Sequence, residues 1–265
     1  MIDTARELDS LLKELQALED DSTDTDDLLK DKKWTFDAAT SFSGRNVKDG
    51  VDLSGSSPVM TGYVSLSHDN GLMLDLGFTR VLGSDGYLQS KYLSLSYNYS
   101  AVDWFSVGLN YTKSKYDDND STTALAGASN LLSIAFDLIP TDYLIIDLDY
   151  DRYFGTDIVN FYSINMFSLH RLLGFRISPL VSLGWSSYTV EESRLRKTIR
   201  GGTAEFINNK TGFSSLLLSV QFYYKIFDYL TINASPNYIM TTETSLSGKS
   251  SQFYGKIGIK YSLDF

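Results

Sequence analysis

The chain has 265 residues, of which 43% are apolar, 14% aromatic and 21% charged, and its 33 acidic and 23 basic side chains give a formal net charge of −10. The absence of cysteine excludes disulfides, thiolate metal sites and cysteine nucleophiles. A pI near 4.6 excludes a nucleic-acid binder, because neutralising phosphates requires a Lys/Arg surface. No apolar run approaches the ~18 residues of a transmembrane helix, whereas a membrane-spanning strand needs only about 10 alternating residues.

Residues 1–33 hold 11 acidic and 5 basic side chains and no aromatic residue. Leu8, Leu11, Leu12, Leu15 and Leu18 form one apolar stripe at helical spacing, so a short amphipathic helix is expected there. A helix of this length is marginal alone and calls for a partner surface, either the rest of the chain, as a self-plug, or a second protein. The stretch Glu19–Lys33 reads as a solvated acidic linker. Its cluster at Asp24, Asp26 and Asp27 lacks the Gly and distal Glu of a calcium loop, so no metal or cofactor is expected. Met1 opens no secretory leader, and a chain exported to a membrane is expected to have had one removed.

From Trp34 the hydrophobic period is two. Large apolar groups fall on even positions over Trp34–Phe42, and the alternation recurs at Met60/Val64/Leu66, Leu72/Leu74/Leu76/Phe78 and Leu93/Leu95/Tyr97/Tyr99. It continues at Phe105/Val107/Leu109/Tyr111, Leu132/Ile134/Phe136/Leu138, Leu144/Ile146/Leu148/Tyr150 and Tyr162/Ile164/Met166. The remaining sets are Phe175/Ile177/Val181/Leu183/Trp185, Leu216/Leu218/Val220/Phe222/Tyr224, Leu230/Ile232/Tyr238 and Phe253/Ile257/Ile259/Tyr261/Leu263/Phe265.

That pattern predicts twelve strands of 12–16 residues, with faces of Ser, Thr, Gly, Asn, Tyr and Asp between the apolar ones. Long strands, aromatics gathered at strand ends and connections alternating between short and long all match an outer-membrane barrel rather than a soluble sandwich. The short links are expected at His68–Gly71, Ser100–Asp103, Ile139–Asp142, Ser168–Arg171 and Ile226–Tyr229. The longest link, Tyr188–Thr211, is expected to rise as an extended hairpin turning at Gly201-Gly202.

The strand Phe253-Tyr-Gly-Lys-Ile257-Gly-Ile259-Lys-Tyr261-Ser-Leu263-Asp-Phe265 resembles the terminal signal strand of bacterial outer-membrane β-barrel proteins. The resemblance implies that Phe265 is read by the barrel-insertion machinery. Arg45–Arg80, with Asp49-Gly50, Pro58 and His68-Asp69-Asn70-Gly71, is similar to a family of small porin-like proteins. A helix followed by twelve strands is also similar in architecture to autotransporter translocator domains.

The expected fold is therefore all-β: a twelve-stranded antiparallel transmembrane barrel over 34–265, behind a short N-terminal helix and linker at 1–33. Both termini are expected to be periplasmic and the barrel to lie in the bacterial outer membrane. The expected function is a porin-like channel for passive diffusion of small polar or charged solutes. Alternatives are a polypeptide-translocating pore, and a non-conducting barrel that docks a periplasmic protein through its helix.

No enzyme is expected, because His68 and His170 both fall in predicted turns, away from any Ser–Asp pair at the outer rim. Parity points Asp147, Asp149 and Asp151 into the lumen on strand seven, opposite Lys256 and Lys260 on strand twelve, with Arg176 inward on strand nine. An acidic wall facing a basic wall would orient polar solutes and sieve ions. Parity also points Arg80, Lys91, Lys113, Lys115 and Arg152 toward lipid at the outer ends of their strands. The expected partner of these five cations is outer-leaflet lipopolysaccharide phosphate.

Overall fold

Strong alternation over segment after segment leaves each strand with one apolar face, and closing the sheet on itself pairs the backbone groups of every strand edge at once. The computed structural model describes residues 34–48, 51–52, 54, 57–83, 86–116, 128–155, 158–172, 174–194, 204–246 and 248–265. Among them lie twelve long strands: β1 (Trp34–Ser43), β2 (Val59–His68), β3 (Leu72–Val81), β4 (Leu88–Val102), β5 (Phe105–Tyr116) and β6 (Asn130–Thr141), then β7 (Leu144–Phe154), β8 (Ile158–Ser168), β9 (Phe175–Arg194), β10 (Ala204–Phe227), β11 (Leu230–Thr241) and β12 (Ser250–Asp264). Each pairs antiparallel with its sequence neighbours, and β1 pairs with β12, which closes a barrel. The predicted helix with Leu8, Leu11, Leu12, Leu15 and Leu18, the Asp24–Asp27 cluster and the Gly201-Gly202 turn lie outside the described residues.

The seam is built from backbone bonds at the chain's two described ends. The Trp34 amide donates to the Phe265 carbonyl at 3.2 Å, and the Phe265 amide donates to the Trp34 carbonyl at 3.0 Å. Thr35 Oγ1 adds a 2.7 Å bond to Asp264 Oδ1.

One barrel end carries tight turns (the turn end) and the other carries the longer links (the loop end). The turn after β2 depends on Gly71, whose φ of +94° suits only glycine and whose added Cβ would meet the Asn98 carbonyl oxygen at 1.9 Å. Several strands run further than the alternation predicted. The β4–β5 turn begins after Val102 rather than at Ser100, because a register shift between Ser100 and Val102 prolongs the pairing. The link after β8 is also longer than expected, since His170–Leu172 forms an extra short strand on the start of β9. The strands span 10 to 24 residues rather than 12 to 16: β1, β2 and β3 are the shortest, while β9 and β10 extend as the long hairpin expected over Tyr188–Thr211.

Away from the bulges, the alternation sets the facing of the described strand residues as parity predicts. Leu76, Leu95, Leu109 and Ile257 point outward, each about half exposed, while Asp75, Ser94, Asn110 and Lys260 point inward and are buried. So much contiguous exposed apolar surface is incompatible with water and fits a hydrocarbon band. Aromatic side chains ring the turn end, where Phe227 stacks on Tyr229 at 5.4 Å and Tyr229 meets Tyr261 at 5.6 Å.

The inward face departs from the expected polar lining. Ile145, Phe167, Leu169, Leu180, Leu217, Tyr223 and Ile239 form an apolar cluster inside the barrel. Val47, in the link after β1, packs onto this cluster beside Ile139 and Tyr254 of the wall, so the lumen offers the link an apolar seat.

Candidate pore

The acidic wall is where parity places it. Asp147 and Asp151 are buried on the inner face of β7 and Asp149 is half-buried between them. Asp137 on β6, missed in the sequence reading, sits directly opposite Asp147 in the register. Like charges facing each other across a strand pair repel, so the wall needs donors to persist. Asn165 on β8 supplies them: its amide Nδ2 donates to Asp147 Oδ2 at 3.2 Å and to Asp149 Oδ2 at 2.8 Å. Ser163 donates to Asp149 Oδ2 at 3.1 Å, and Ser106 donates to Asp137 Oδ2 at 2.5 Å. Asn165 and Ser163 reach these oxygens because β8 pairs in register with β7, Asn165 facing Asp147 and Ser163 facing Asp149.

The cations lie on other strands. Lys256 and Lys260 point inward from β12, five strands round from β7, and Arg176 is half-buried on the inner face of β9. Lys260 Nζ lies 3.2 Å from Asp37 Oδ2 of β1, so part of the basic wall is neutralised on its own side of the barrel. Lys225, near the turn end, is exposed and bonds Asp228 at 3.0 Å. Asp37 and Asp75 were inward by parity but not singled out, and both are buried.

Two links fold inward from the loop end. In the first, Asn46 Nδ2 donates to Gln89 Oε1 at 2.9 Å and the Asn46 amide donates to Ser54 Oγ at 3.0 Å. Gln89 can receive it because the β3–β4 pairing skips one residue: Thr79 faces Ser90 while Arg80 faces Leu88. This bulge turns Gln89 into the lumen, where it is fully buried. In the second link, the Thr244 carbonyl accepts from Ser186 Oγ at 2.8 Å and Leu246 packs on a second inner cluster containing Leu131, Tyr153, Val159 and Phe161. Beneath the first link a cavity of about 120 Å³ is lined by Ser41, Arg45, Asn46, Gln221, Asn237 and Lys256, among others.

The remaining sequence candidates are also placed. Arg80, Lys91, Lys113, Lys115 and Arg152 are exposed on the outer face of β3–β7. Phe265 is exposed and follows β12 directly. His68 packs edge-on against Trp34 at 4.6 Å and its Nδ1 accepts the Asn70 amide at 3.1 Å, both features of a turn residue. His170 Nε2 bonds Ser168 Oγ at 3.1 Å in an exposed link.

No protein-family model matches the sequence, and no curated protein matches it. Solved structures do match the fold. A KdgM porin aligns with a TM-score of 0.51 at 12% identity, over 86% of this chain and 99% of that one. A NanC porin aligns at 0.53 and 9%, over 86% and 100%. The COG4313 outer membrane channel from Pseudomonas putida F1 aligns at 0.54 and 12%, over 91% and 100%. The chain therefore shares the twelve-stranded barrel fold of small outer-membrane channels, over nearly the whole length of each.

Proposed function

We propose that the barrel is a passive outer-membrane channel for small polar or charged solutes, with its turn end and both termini on the periplasmic side. The observation that carries this reading is the charge layout of the lumen: Asp137, Asp147, Asp149 and Asp151 on β6 and β7, against Lys256 on β12, with Lys260 paired to Asp37 and Arg176 two strands from β7 on β9. Aligned opposite charges across a low-dielectric wall create a transverse field, which orients dipolar solutes and discriminates between ions. A KdgM porin has been solved in complex with an oligogalacturonate, an acidic sugar chain. Arg45 and Lys256, which both line the cavity beneath the first link, support carboxylate-bearing solutes among those admitted here.

The two inward links favour small solutes over a polypeptide. Residues 1–33, with the Leu8–Leu18 stripe, act in this reading as a plug or as a docking element for a periplasmic protein. The reading assigns no catalysis to the barrel.

Planar-bilayer recording tests it. The expected result is ohmic conductance whose reversal potential in a salt gradient moves toward anion preference when Asp147, Asp149 and Asp151 are changed to Asn. Deleting 1–33 raises conductance if the segment plugs the lumen and leaves it unchanged if the segment docks elsewhere. Absence of conductance in both full-length and truncated protein overturns the channel.

A further inference from the structure

Five cations stand on one side of an otherwise acidic protein. Arg80, Lys91, Lys113, Lys115 and Arg152 occupy the successive strands β3, β4, β5 and β7, with only β6 between them contributing none, and all five are exposed on the outward face. Four strand intervals of ~4.8 Å spread them over about 19 Å of the rim. None forms an ion pair with another described residue.

Their level is fixed by the strands. Arg80, Lys113 and Arg152 each lie eight residues beyond the first residue of their strand at the turn end. At ~3.4 Å per residue and a tilt of ~40°, that climb is about 21 Å, close to the far edge of a band about 25 Å tall. Side-chain bonds on the outward face mark the same edge independently. Tyr111, two residues below Lys113, donates its hydroxyl to Asn130 Oδ1 at 2.8 Å, and Tyr150, two below Arg152, donates to Asn160 Oδ1 at 3.0 Å. Amphipathic rings anchored in this way belong where hydrocarbon gives way to polar headgroups.

Lys91 and Lys115 are directly opposed in the β4–β5 register, and both point outward. Like charges opposed across a strand pair are destabilising without a counter-anion between them. On the other half of the perimeter, Phe42, Tyr238, Met240 and Phe253 are large apolar groups exposed toward the loop end among the described residues.

We propose that Arg80, Lys91, Lys113, Lys115 and Arg152 form a binding ridge for the phosphate groups of an anionic lipid in the outer leaflet, the phosphorylated saccharolipid lipopolysaccharide. Arg80 and Arg152 present planar forks that hold phosphate oxygens bidentately, and the three Lys supply mobile point charges. The acyl chains of the same lipid lie along the outward Leu and Tyr below. The ridge depends on the outward face meeting hydrocarbon and not on whether the lumen conducts, so conductance and lipid retention fail separately.

Native mass spectrometry of the full chain released from detergent tests it, with bis-phosphorylated lipid A, its dephosphorylated form and zwitterionic phosphatidylethanolamine as probes. The expected result is retention of lipid A by the wild type, and a loss of about tenfold or more in the variant R80Q/K91Q/K113Q/K115Q/R152Q. The variant K91R/K113R/K115R is expected to retain the lipid, because charge is kept. If the five-site variant does not fold, the wild type alone decides: equal retention of phosphorylated and dephosphorylated lipid A overturns the ridge, and selective retention supports it. Loss of lipid A on adding millimolar inorganic phosphate assigns the recognition to phosphate itself. Equal retention by folded wild type and five-site variant overturns the proposal.

Discussion

Lys260 and Asp37 form a buried ion pair across the barrel seam, Nζ to Oδ2 at 3.2 Å, joining the last strand to the first. Each side chain is nearly nine-tenths shielded, so neither charge can fall back on bulk water. Asp37→Asn takes the carboxylate charge away from a buried lysine and is expected to destabilise the barrel by about 3 kcal/mol. The double change Asp37→Leu with Lys260→Met removes both charges and is expected to recover most of that loss. Urea unfolding followed by tryptophan fluorescence in detergent compares the three proteins. An Asp37→Asn midpoint equal to wild type would show that the pair adds nothing to the seam.

Asn165 holds two carboxylates with one amide. Changing Asn165→Ala deprives Asp147 and Asp149 of a shared donor and leaves three acids of β7 crowded beside Asp137. The expected cost is about 2 kcal/mol, since hydrogen bonds to charged groups exceed neutral ones. Repulsion acts only between ionised carboxyls, so lowering the pH is expected to restore part of the stability lost. An unfolding midpoint that falls equally at neutral and acid pH would contradict this account.

The contact between Asn46 and Gln89 holds the first inward link together with the packing of Val47 on the inner cluster. Either Asn46→Ala or Gln89→Ala removes that contact at about 1 kcal/mol, small against the whole barrel but sufficient to loosen a single loop. Single-channel recordings are expected to show larger and noisier conductance steps in both variants, by a similar amount. Gln89→Ala without effect beside a strong Asn46→Ala would place the anchor elsewhere in the link.

Gly71 and Gly174 give a matched pair for turn strain. Both have positive φ, +94° and +81°, yet an added Cβ meets the Asn98 carbonyl oxygen at Gly71 and nothing within 4 Å at Gly174. Gly174→Ala is expected to cost about 1 kcal/mol from backbone conformation alone, and Gly71→Ala clearly more because of the clash. Chemical denaturation of the two variants side by side measures the difference, and equal losses would mean that the turn moves aside freely.

Most of the architecture was legible because a period of two carries its own facing. Once Trp34 and Phe36 are outward, Asp37 must be inward, and the same holds from strand to strand, so the lumen residues Asp147, Asp149, Asp151, Lys256 and Lys260 were found without any contact information. Asp37, Asp75 and Asp137 obeyed the same rule and were passed over only because each stands alone on its strand. Gln89 was different in kind. The β3–β4 bulge changes its facing, and a bulge arises from how two strands pair, which no single strand records. The inner apolar cluster of Leu180, Leu217 and Tyr223 was illegible for a related reason, since it packs with Val47 from a link more than a hundred residues away.

The bonds from Trp34 to Phe265 have a kinetic meaning. Every other junction in the ring joins strands that follow one another in sequence, and these can zip progressively as hairpins. The seam alone bridges a separation of 229 residues, between Thr35 and Asp264. Almost the entire ordering entropy of closure therefore falls on one final step, and the species that precedes it is a curled ribbon with two bare borders. Whatever shepherds this polypeptide into the bilayer must shield both borders until they meet.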